Sequence, residues 1–206
     1  GVHASGQVVA FDLEWSHAPD ALGRALNANL PPDLAVMAVK PVDAGFHPRY
    51  DALSRRYQYH IYCSTGRDPL RERYAWRIWP PADLDRLNQA GQLLAGRHDF
   101  AAFGTPPRVG GSTIREVFFA RWELHAGCLL FEVCANAFLY HMVRRMVYLQ
   151  VQVAQGRLEL DQLALAVEQA QPQTPGLAPP NGLVLTEVKY ASGEQEAETY
   201  QRSTCE

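Results

Sequence analysis

The sequence of 206 residues has few cysteines, the side chains that form disulfide frameworks and many structural zinc sites. Its four cysteines, Cys63, Cys128, Cys134 and Cys205, are scattered, with no Cys-x-x-Cys pair and no paired histidines at ligand spacing. We therefore expect no zinc site and no disulfide framework, and a reducing, cytoplasmic compartment. No apolar run reaches the roughly 18 residues that a membrane-spanning helix needs.

Lysine is also scarce, because only Lys40 and Lys189 among the 19 basic residues are not arginine. The net charge of −3 argues against a nucleic-acid partner, but the distribution of charge matters more than its sum. Between Arg49 and Arg77, seven arginines against three carboxylates leave a local charge of about +4 among several tyrosines. Arginine suits phosphate binding and stacking on bases. The segment is thus either a surface that binds nucleic acid or an ordinary solvated, arginine-rich surface.

The apolar pattern predicts a mixed α and β chain without internal repeats. Strands are predicted at 7–11, 34–40, 56–63, 114–124, 128–134 and 183–190, and helices at 19–28, 82–95, 135–154 and 160–170. The stretches 104–113 and 171–182 are rich in proline and glycine and predict loops. The acidic residues 191–206 predict a disordered tail.

The stretch FHPRYDALSRRYQYHIY at 46–62 combines a predicted strand with arginines. Period-two alternation places Tyr57, Tyr59 and Ile61 on one face of the strand, and Arg56, Gln58 and His60 on the other. Tyrosines on an inner face usually pack in a core, with the hydroxyl bonded at its edge. The alternative is a tyrosine that supports a nucleobase beside arginines that hold phosphates.

The stretch ANAFLYHMVRRMVY at 135–148 has the period of a helix with two faces. The apolar face is typical of a core and consists of Ala135, Phe138, Leu139, Met142 and Met146. The opposite face holds Ala137, His141, Arg144 and Tyr148 and has so little charge that we expect it to line a cleft. Arg144 is then a candidate for binding a carboxylate or a phosphate, and His141 is expected to be structural. Core packing explains the aromatic stretch RHDFAAFG at 97–104.

Six stretches of the sequence, in this order, resemble motifs of the tRNA pseudouridine synthase A (TruA) family. They are GVHASGQVV (1–9), NANLPPDLAV (27–36), the 46–62 stretch, HDFAAF (98–103), ANAFLYHMVRRMV (135–147) and APPNGLVLTEVKY (178–190). No single motif is decisive, but their shared order is specific, and the resemblance extends to about residue 190.

The resemblance implies an α+β protein with the pseudouridine synthase fold. In that fold, two similar halves share a mixed, largely antiparallel sheet flanked by helices, with the active cleft between them. Residues 1–45 correspond to the remainder of the N-terminal half, without the family's first strand and helix. Residues 46–190 correspond to the C-terminal half. A homodimer is implied as well.

The resemblance also implies an activity, the isomerisation of uridine to pseudouridine at positions 38–40 of the anticodon stem-loop of tRNA, without a metal or an organic cofactor. The family's nucleophilic aspartate stands two places before the position of Gly1, so the chain is expected to begin just after it. By matching position, Arg144 pairs with that aspartate and Tyr57 lies against the target base. The further substrate-binding candidates are His3, in the active-site loop, and the arginines Arg49 and Arg55.

The chain departs from the family pattern at four of these positions. Arg145 replaces an asparagine and Tyr148 a glycine in the motif that carries Arg144, while Pro48 and Asp51 replace alanine and serine. Because Tyr148 stands four residues after Arg144 on the predicted helix, it is expected to crowd the cleft or to alter helix packing.

A polypeptide of residues 1–206 alone is predicted to form no pseudouridine in tRNA, because none of its aspartates stands in the family's R-T-D-A-G context. The measurement is pseudouridine formation on unmodified tRNA, and turnover by this polypeptide would contradict the prediction. The alternative function is a non-catalytic RNA-binding protein that keeps the fold. An in-frame R-T-D-A upstream in the gene favours the enzyme, whereas a genuine start codon at Gly1 favours the alternative.

Overall fold

The computed structural model describes residues 1–171 and 175–191. The predicted tail at 191–206 lies outside the described residues except for its first residue. The chain divides into two compact units, one of Gly1–Gln7 and Leu53–Lys189, the other of Val8–Ala52 and the residues from Tyr190 onward. Among the described residues, no helix has the length and apolar character needed to cross a membrane.

The first unit is built on a mixed sheet of seven strands that does not close on itself. In chain order the strands are β1 (His3–Ala4), β2 (Ser54–Cys63), β3 (Trp76–Ile78), β4 (Gly96–Asp99), β5 (Ile114–His125), β6 (Cys128–Ala135) and β7 (Leu183–Lys189). Their order across the sheet is β1-β7-β2-β6-β5-β4, and β3 pairs with β2. The pairs β1–β7 and β2–β3 are parallel, and the others are antiparallel. The expected α+β fold with a mixed, largely antiparallel sheet is confirmed.

The helices are α1 (Pro19–Asn27) in the second unit and α2 (Leu84–Gln92), α3 (Met142–Ala154) and α4 (Leu160–Glu168) in the first. The last three share one hydrophobic core with the inner face of the sheet. Tyr59 and Ile61 are fully buried in that core, which confirms the predicted alternation of β2. Phe100 and Phe103 are buried as well, so core packing does explain the 97–104 stretch.

Two helices begin where the sequence provides a cap. Asp83 precedes α2 and its carboxylate accepts a hydrogen bond of 2.8 Å from the backbone N–H of Arg86. Before α4, Glu159 and Gln162 form a reciprocal capping box. Each cap satisfies backbone donors of the first helical turn, which have no partner within the helix.

The prediction of a helix over 135–154 is wrong for its first part, because α3 begins only at Met142. Ala135 is the last residue of β6, and Asn136 continues the pairing with β5. Its backbone N–H donates to the Glu116 carbonyl, and its side-chain oxygen accepts from the Glu116 N–H. The sheet thus takes residues whose apolar spacing is also compatible with a helix. Arg144 and Tyr148 remain four residues apart on α3.

The predicted strands at 7–11 and 34–40 are also wrong, since neither segment is a strand in the structure. The alternating apolar side chains are largely exposed, Val9 by 72%, Phe11 by 58% and Met37 by 68%. A strand is stabilised by pairing with another strand. In the second unit, the backbone of Val36 is paired with the side-chain amide of Asn27 and not with a strand. The amide donates to the Val36 carbonyl at 2.9 Å and accepts from the Val36 N–H at 2.7 Å.

Gly91 in α2 has no room for a side chain, because an added β-carbon would lie 2.9 Å from the backbone oxygen of Ala120. Alanine is ordinarily the better helix former by about 1 kcal/mol, but overpacking a core costs about 1–3 kcal/mol. We therefore predict that Gly91→Ala lowers the free energy of unfolding in urea.

The matched control is Gly23→Ala in α1, where the nearest atom would be 3.6 Å away, an ordinary contact. This variant should be neutral or stabilising. Equal effects of the two substitutions would contradict the steric argument.

Candidate functional site

Arg144 stands in the first turn of α3 and is half-buried. Its Nε donates a hydrogen bond of 2.6 Å to the carbonyl of Ala178, and the N–H of Ala178 donates to the Arg144 carbonyl at 3.3 Å. Among the described residues, no carboxylate forms an ion pair with Arg144, and no acceptor is bonded to its terminal nitrogens. The guanidinium is therefore held in place by one nitrogen while its other two can bind an anion.

Tyr57 lies on β2 with its ring in edge contact with Phe138, the two ring centroids being 5.1 Å apart. Burial raises the pKa of Tyr57, and the nearby charge of Arg55 acts in the opposite direction. Within residues 1–171 and 175–191, the hydroxyl of Tyr57 has no hydrogen-bond partner. Tyr57 is thus a neutral phenol that is packed on one side and unbonded at its tip.

Tyr59, two residues further along the same face of β2, connects Tyr57 with Arg144. Its hydroxyl donates to the carbonyl of Pro179 at 2.7 Å. Burial raises the pKa of Tyr59, whereas the charge of Arg144 acts in the opposite direction. Side chains two residues apart on a strand face are neighbours. Tyr57, Tyr59 and Arg144 therefore form one site at the N-terminal end of α3.

The first residues of the chain lie beside this site. Strand β1 pairs with β7 at Val184 and Leu185, and Leu185 is in turn the partner of Tyr57 on β2. A β-carbon added to Gly1 would lie 3.0 Å from the ring of Pro180, which is two residues from Ala178. Gly1 therefore lies close to the segment that binds the Arg144 side chain.

The remaining substrate-binding candidates lie in three different places. Arg55 donates to the carbonyl of Asn136 at 2.8 Å and affects the pKa of Tyr57, so it belongs to the site. The ring of His3 bonds through Nε2 to the carbonyl of Arg73 at 3.1 Å and is directed to that segment. Arg49 belongs to the second unit, where its N–H donates to His47 at 3.1 Å.

Several arginines of the 49–77 segment are neutralised by carboxylates of the first unit. Arg67 and Arg77 both bind Glu72, at 2.8 and 3.1 Å, and the hydrogen bond from Arg67 lowers the pKa of Glu72. These three residues also line a cavity of about 260 Å³, together with Ala75, Trp76, Pro179 and Asn181. The lining includes neither Tyr57 nor Arg144, but the cavity shares Pro179 with the site.

The two departures from the family pattern on α3 both contact one glycine. Arg145 donates to the carbonyl of Gly176, and the Tyr148 ring lies so close that a β-carbon on Gly176 would be 2.1 Å from it. Tyr148 therefore packs against the segment before Ala178. Of the two expectations for Tyr148, altered packing is the one that these contacts fit.

Sequence reasoning missed the partners that position Arg144 and Tyr57, namely Tyr59 as a link, Phe138, Ala178 and Pro179. The alternation of β2 placed Tyr59 correctly in the core but gave no sign of its bond to Pro179. Residues 178–179 fall in a stretch whose composition predicts only a loop. The described residues contain no group of three or more His, Cys, Asp or Glu side chains placed to hold a metal ion.

An open mixed sheet with helices on its inner face, and a tethered arginine beside a tyrosine at one end, is consistent with the pseudouridine synthase class of α+β proteins. A family profile described as tRNA pseudouridine synthase matches residues 90–191. Proteins named tRNA pseudouridine synthase A match nearly the whole chain. The protein of Lactiplantibacillus plantarum is 38% identical over 201 residues, covering 96% of this chain and 77% of that protein.

Two further relatives carry the same name. The protein of a Geobacillus species is 36% identical over 92% of this chain and 77% of its own length. The protein of Chloroflexus aurantiacus is 37% identical over 94% of this chain and 71% of its own length. The chain therefore belongs to the tRNA pseudouridine synthase A family.

The two tyrosines of β2 should differ in their effect on stability. Tyr59→Phe removes the hydrogen bond to Pro179 and is predicted to lower the free energy of unfolding by about 1 kcal/mol. Tyr57→Phe removes a hydroxyl without a partner among the described residues, so its stability should stay within about 0.5 kcal/mol of the unaltered protein. Urea unfolding measures the free energy of unfolding of both variants and of the unaltered protein. A larger loss for Tyr57→Phe than for Tyr59→Phe would contradict this assignment.

Proposed function

We propose that this chain is the catalytic region of an isomerase that converts uridine to pseudouridine at positions 38–40 of the anticodon stem-loop of tRNA. The observation that carries the proposal is the guanidinium of Arg144, fixed through Nε and paired with no carboxylate in the described part of the chain. An aspartate in the loop that leads into Gly1 would supply the carboxylate. The adjacency of Gly1 and Pro180 supports that position.

The proposed reaction begins when the target uridine leaves the base stack. The aspartate carboxylate acts as the nucleophile, at the ribose or at the base, and the bond between N1 and C1′ breaks. The uracil rotates and a bond forms between C5 and C1′. The bond to the aspartate breaks and releases the carboxylate, C5 loses its proton and N1 gains one. The substrate and the product are isomers, so the reaction needs no oxidant or reductant.

Each candidate residue has a proposed role in this reaction. Arg144 lowers the pKa of the aspartate and fixes its orientation. Tyr57, neutral and backed by Phe138, lies against the base with its hydroxyl open to the substrate. Arg55, whose charge acts on Tyr57, is proposed to contact RNA near the target base, and Arg49 is proposed as a further RNA contact. His3, bonded to Arg73, orders the loop.

The assembly and the location are proposed from the family resemblance. The protein would act as a homodimer in the cytoplasm, with residues 1–45 as the remainder of the N-terminal half of the synthase domain and residues 46–190 as its C-terminal half. Scattered cysteines, none of them in a pair at metal-ligand spacing, suit a reducing compartment. A non-catalytic RNA-binding protein with the same fold is the competing function.

Arg144→Lys tests the proposal in the polypeptide that includes the aspartate loop. Lysine keeps the charge but loses the forked geometry that binds a carboxylate at two points. We predict that the single-turnover rate falls by orders of magnitude while tRNA affinity changes little, because the interaction acts on the transition state. The measurements are single-turnover pseudouridine formation and salt-dependent tRNA binding.

The companion variant is Arg144→Ala, which distinguishes a catalytic contact from a phosphate contact. A phosphate contact predicts that Arg144→Lys is mild and that Arg144→Ala weakens binding and reduces the salt slope by about one. If the Arg144 variants lose tRNA affinity but keep the single-turnover rate on bound tRNA, the pairing of Arg144 with the nucleophile is disproved. If the unaltered polypeptide binds tRNA without turnover, the non-catalytic function is correct.

A further inference from the structure

An exposed pair of stacked rings stands at the start of α3. The rings of Tyr140 and His141 have centroids 3.7 Å apart and planes 29° apart. Both residues are exposed, Tyr140 by 65%. The pair therefore presents an aromatic face to solvent, although burying aromatic surface is ordinarily favourable.

The backbone at this pair has a conformation that non-glycine residues rarely adopt. His141 has φ of +67° and ψ of 0°, in the left-handed region, immediately before the first residue of α3. Such conformations persist where the surrounding structure enforces them, and they cluster at functional sites. No side-chain hydrogen bond of His141 caps α3. Capping by the imidazole therefore does not explain the conformation.

The chain around Gly104 and Thr105 holds the pair in position. The N–H groups of Tyr140 and Thr105 donate to each other's carbonyls at 2.9 and 3.3 Å. A β-carbon added to Gly104 would lie 2.5 Å from the carbonyl oxygen of Tyr140, so this loop is in tight contact with the backbone of the pair. The rings are thus exposed on a rigid backbone, which limits the entropy lost on binding.

Along the chain, the ring pair lies between two residues of the candidate site. Phe138, two residues before Tyr140, contacts the ring of Tyr57. Arg144 follows His141 by three residues on α3, and, after burial, its charge is the second cause that lowers the pKa of His141. A neutral ring beside a cation offers a surface on which a base can stack while its phosphate lies near the arginine.

We propose that Tyr140 and His141 form a stacking platform for a base adjacent to the target uridine. This rests on the proposed function, because it requires an RNA substrate whose target nucleotide lies against Tyr57. Every base has a π face, so the platform contributes affinity and position and does not select a sequence. It orders the strand next to the nucleotide that has left the stack.

The test uses the full-length protein and two anticodon stem-loop RNAs, with 2-aminopurine either before or after the target uridine. Stacking on the platform should quench the fluorescence of one of the two RNAs. Tyr140→Ala and His141→Gly are expected to abolish that quenching and to raise the Kd by about tenfold, since stacking contributes substantially to the binding of each base. Tyr140→Phe keeps the ring and should recover most of the affinity.

A second substitution controls for the change of backbone at His141. Ala126, in the turn between β5 and β6, also has a positive φ, of 48°. His141→Gly and Ala126→Gly should both raise the melting temperature, because glycine adopts these conformations without strain. Only His141→Gly should weaken RNA binding, which separates loss of the ring from loss of the fold.

The outcomes distinguish the platform from the proposed function. If Tyr140→Ala and His141→Gly bind RNA with unchanged Kd, the platform is wrong and the proposed function stands. If affinity falls without any quenching in the unaltered protein, the rings contact RNA without stacking and the platform is again wrong. If the unaltered protein does not bind the stem-loop, the proposed function fails and the platform fails with it.

Discussion

The site depends on two adjacent backbone carbonyls, those of Ala178 and Pro179. The first accepts a hydrogen bond from Arg144 on α3 and the second accepts one from Tyr59 on β2. Because Ala178 is fully buried, its carbonyl needs a partner inside the protein. The same two bonds therefore fix the approach to β7 and orient the arginine. A structural requirement of the backbone determines where the guanidinium of Arg144 points.

The sequence predicts the four longest strands of the sheet, β2, β5, β6 and β7, but neither the short strands β1, β3 and β4 nor the contacts of the connections between strands. The alternation of β2 places Tyr59 in the core because a strand face has a fixed period of two. The predicted start of the helix that contains α3 is wrong because the apolar spacing in 135–141 fits a helix, whereas pairing of Asn136 with Glu116 prolongs the sheet. Such pairing depends on a strand distant in the sequence, and local periodicity contains no information about it. For the same reason, the composition of residues 171–182 predicts only a loop and not the hydrogen bond between Ala178 and Arg144.

The arginine-rich segment shows what composition can and cannot predict. A local charge of about +4 indicates a surface that binds phosphate, but the partners of these arginines decide how much of that charge remains available. Glu72 lies within the segment and neutralises Arg67 and Arg77. Arg56 pairs with carboxylates of two other strands, Glu132 on β6 and Glu187 on β7. Those partners come from the sheet topology, so part of the predicted surface is structural.

The geometry of Arg144 limits how a carboxylate can reach it. A guanidinium can bind a carboxylate at two points, either through Nε and one terminal nitrogen or through both terminal nitrogens. The bond from Nε to Ala178 occupies the first of these edges. A carboxylate can therefore be bound at two points only end-on, through the terminal nitrogens. Lysine has no such edge, and a point charge at this position would attract a carboxylate without fixing its orientation. The hydrogen bond that stabilises the segment before β7 thus also limits the direction from which a carboxylate can bind Arg144 at two points.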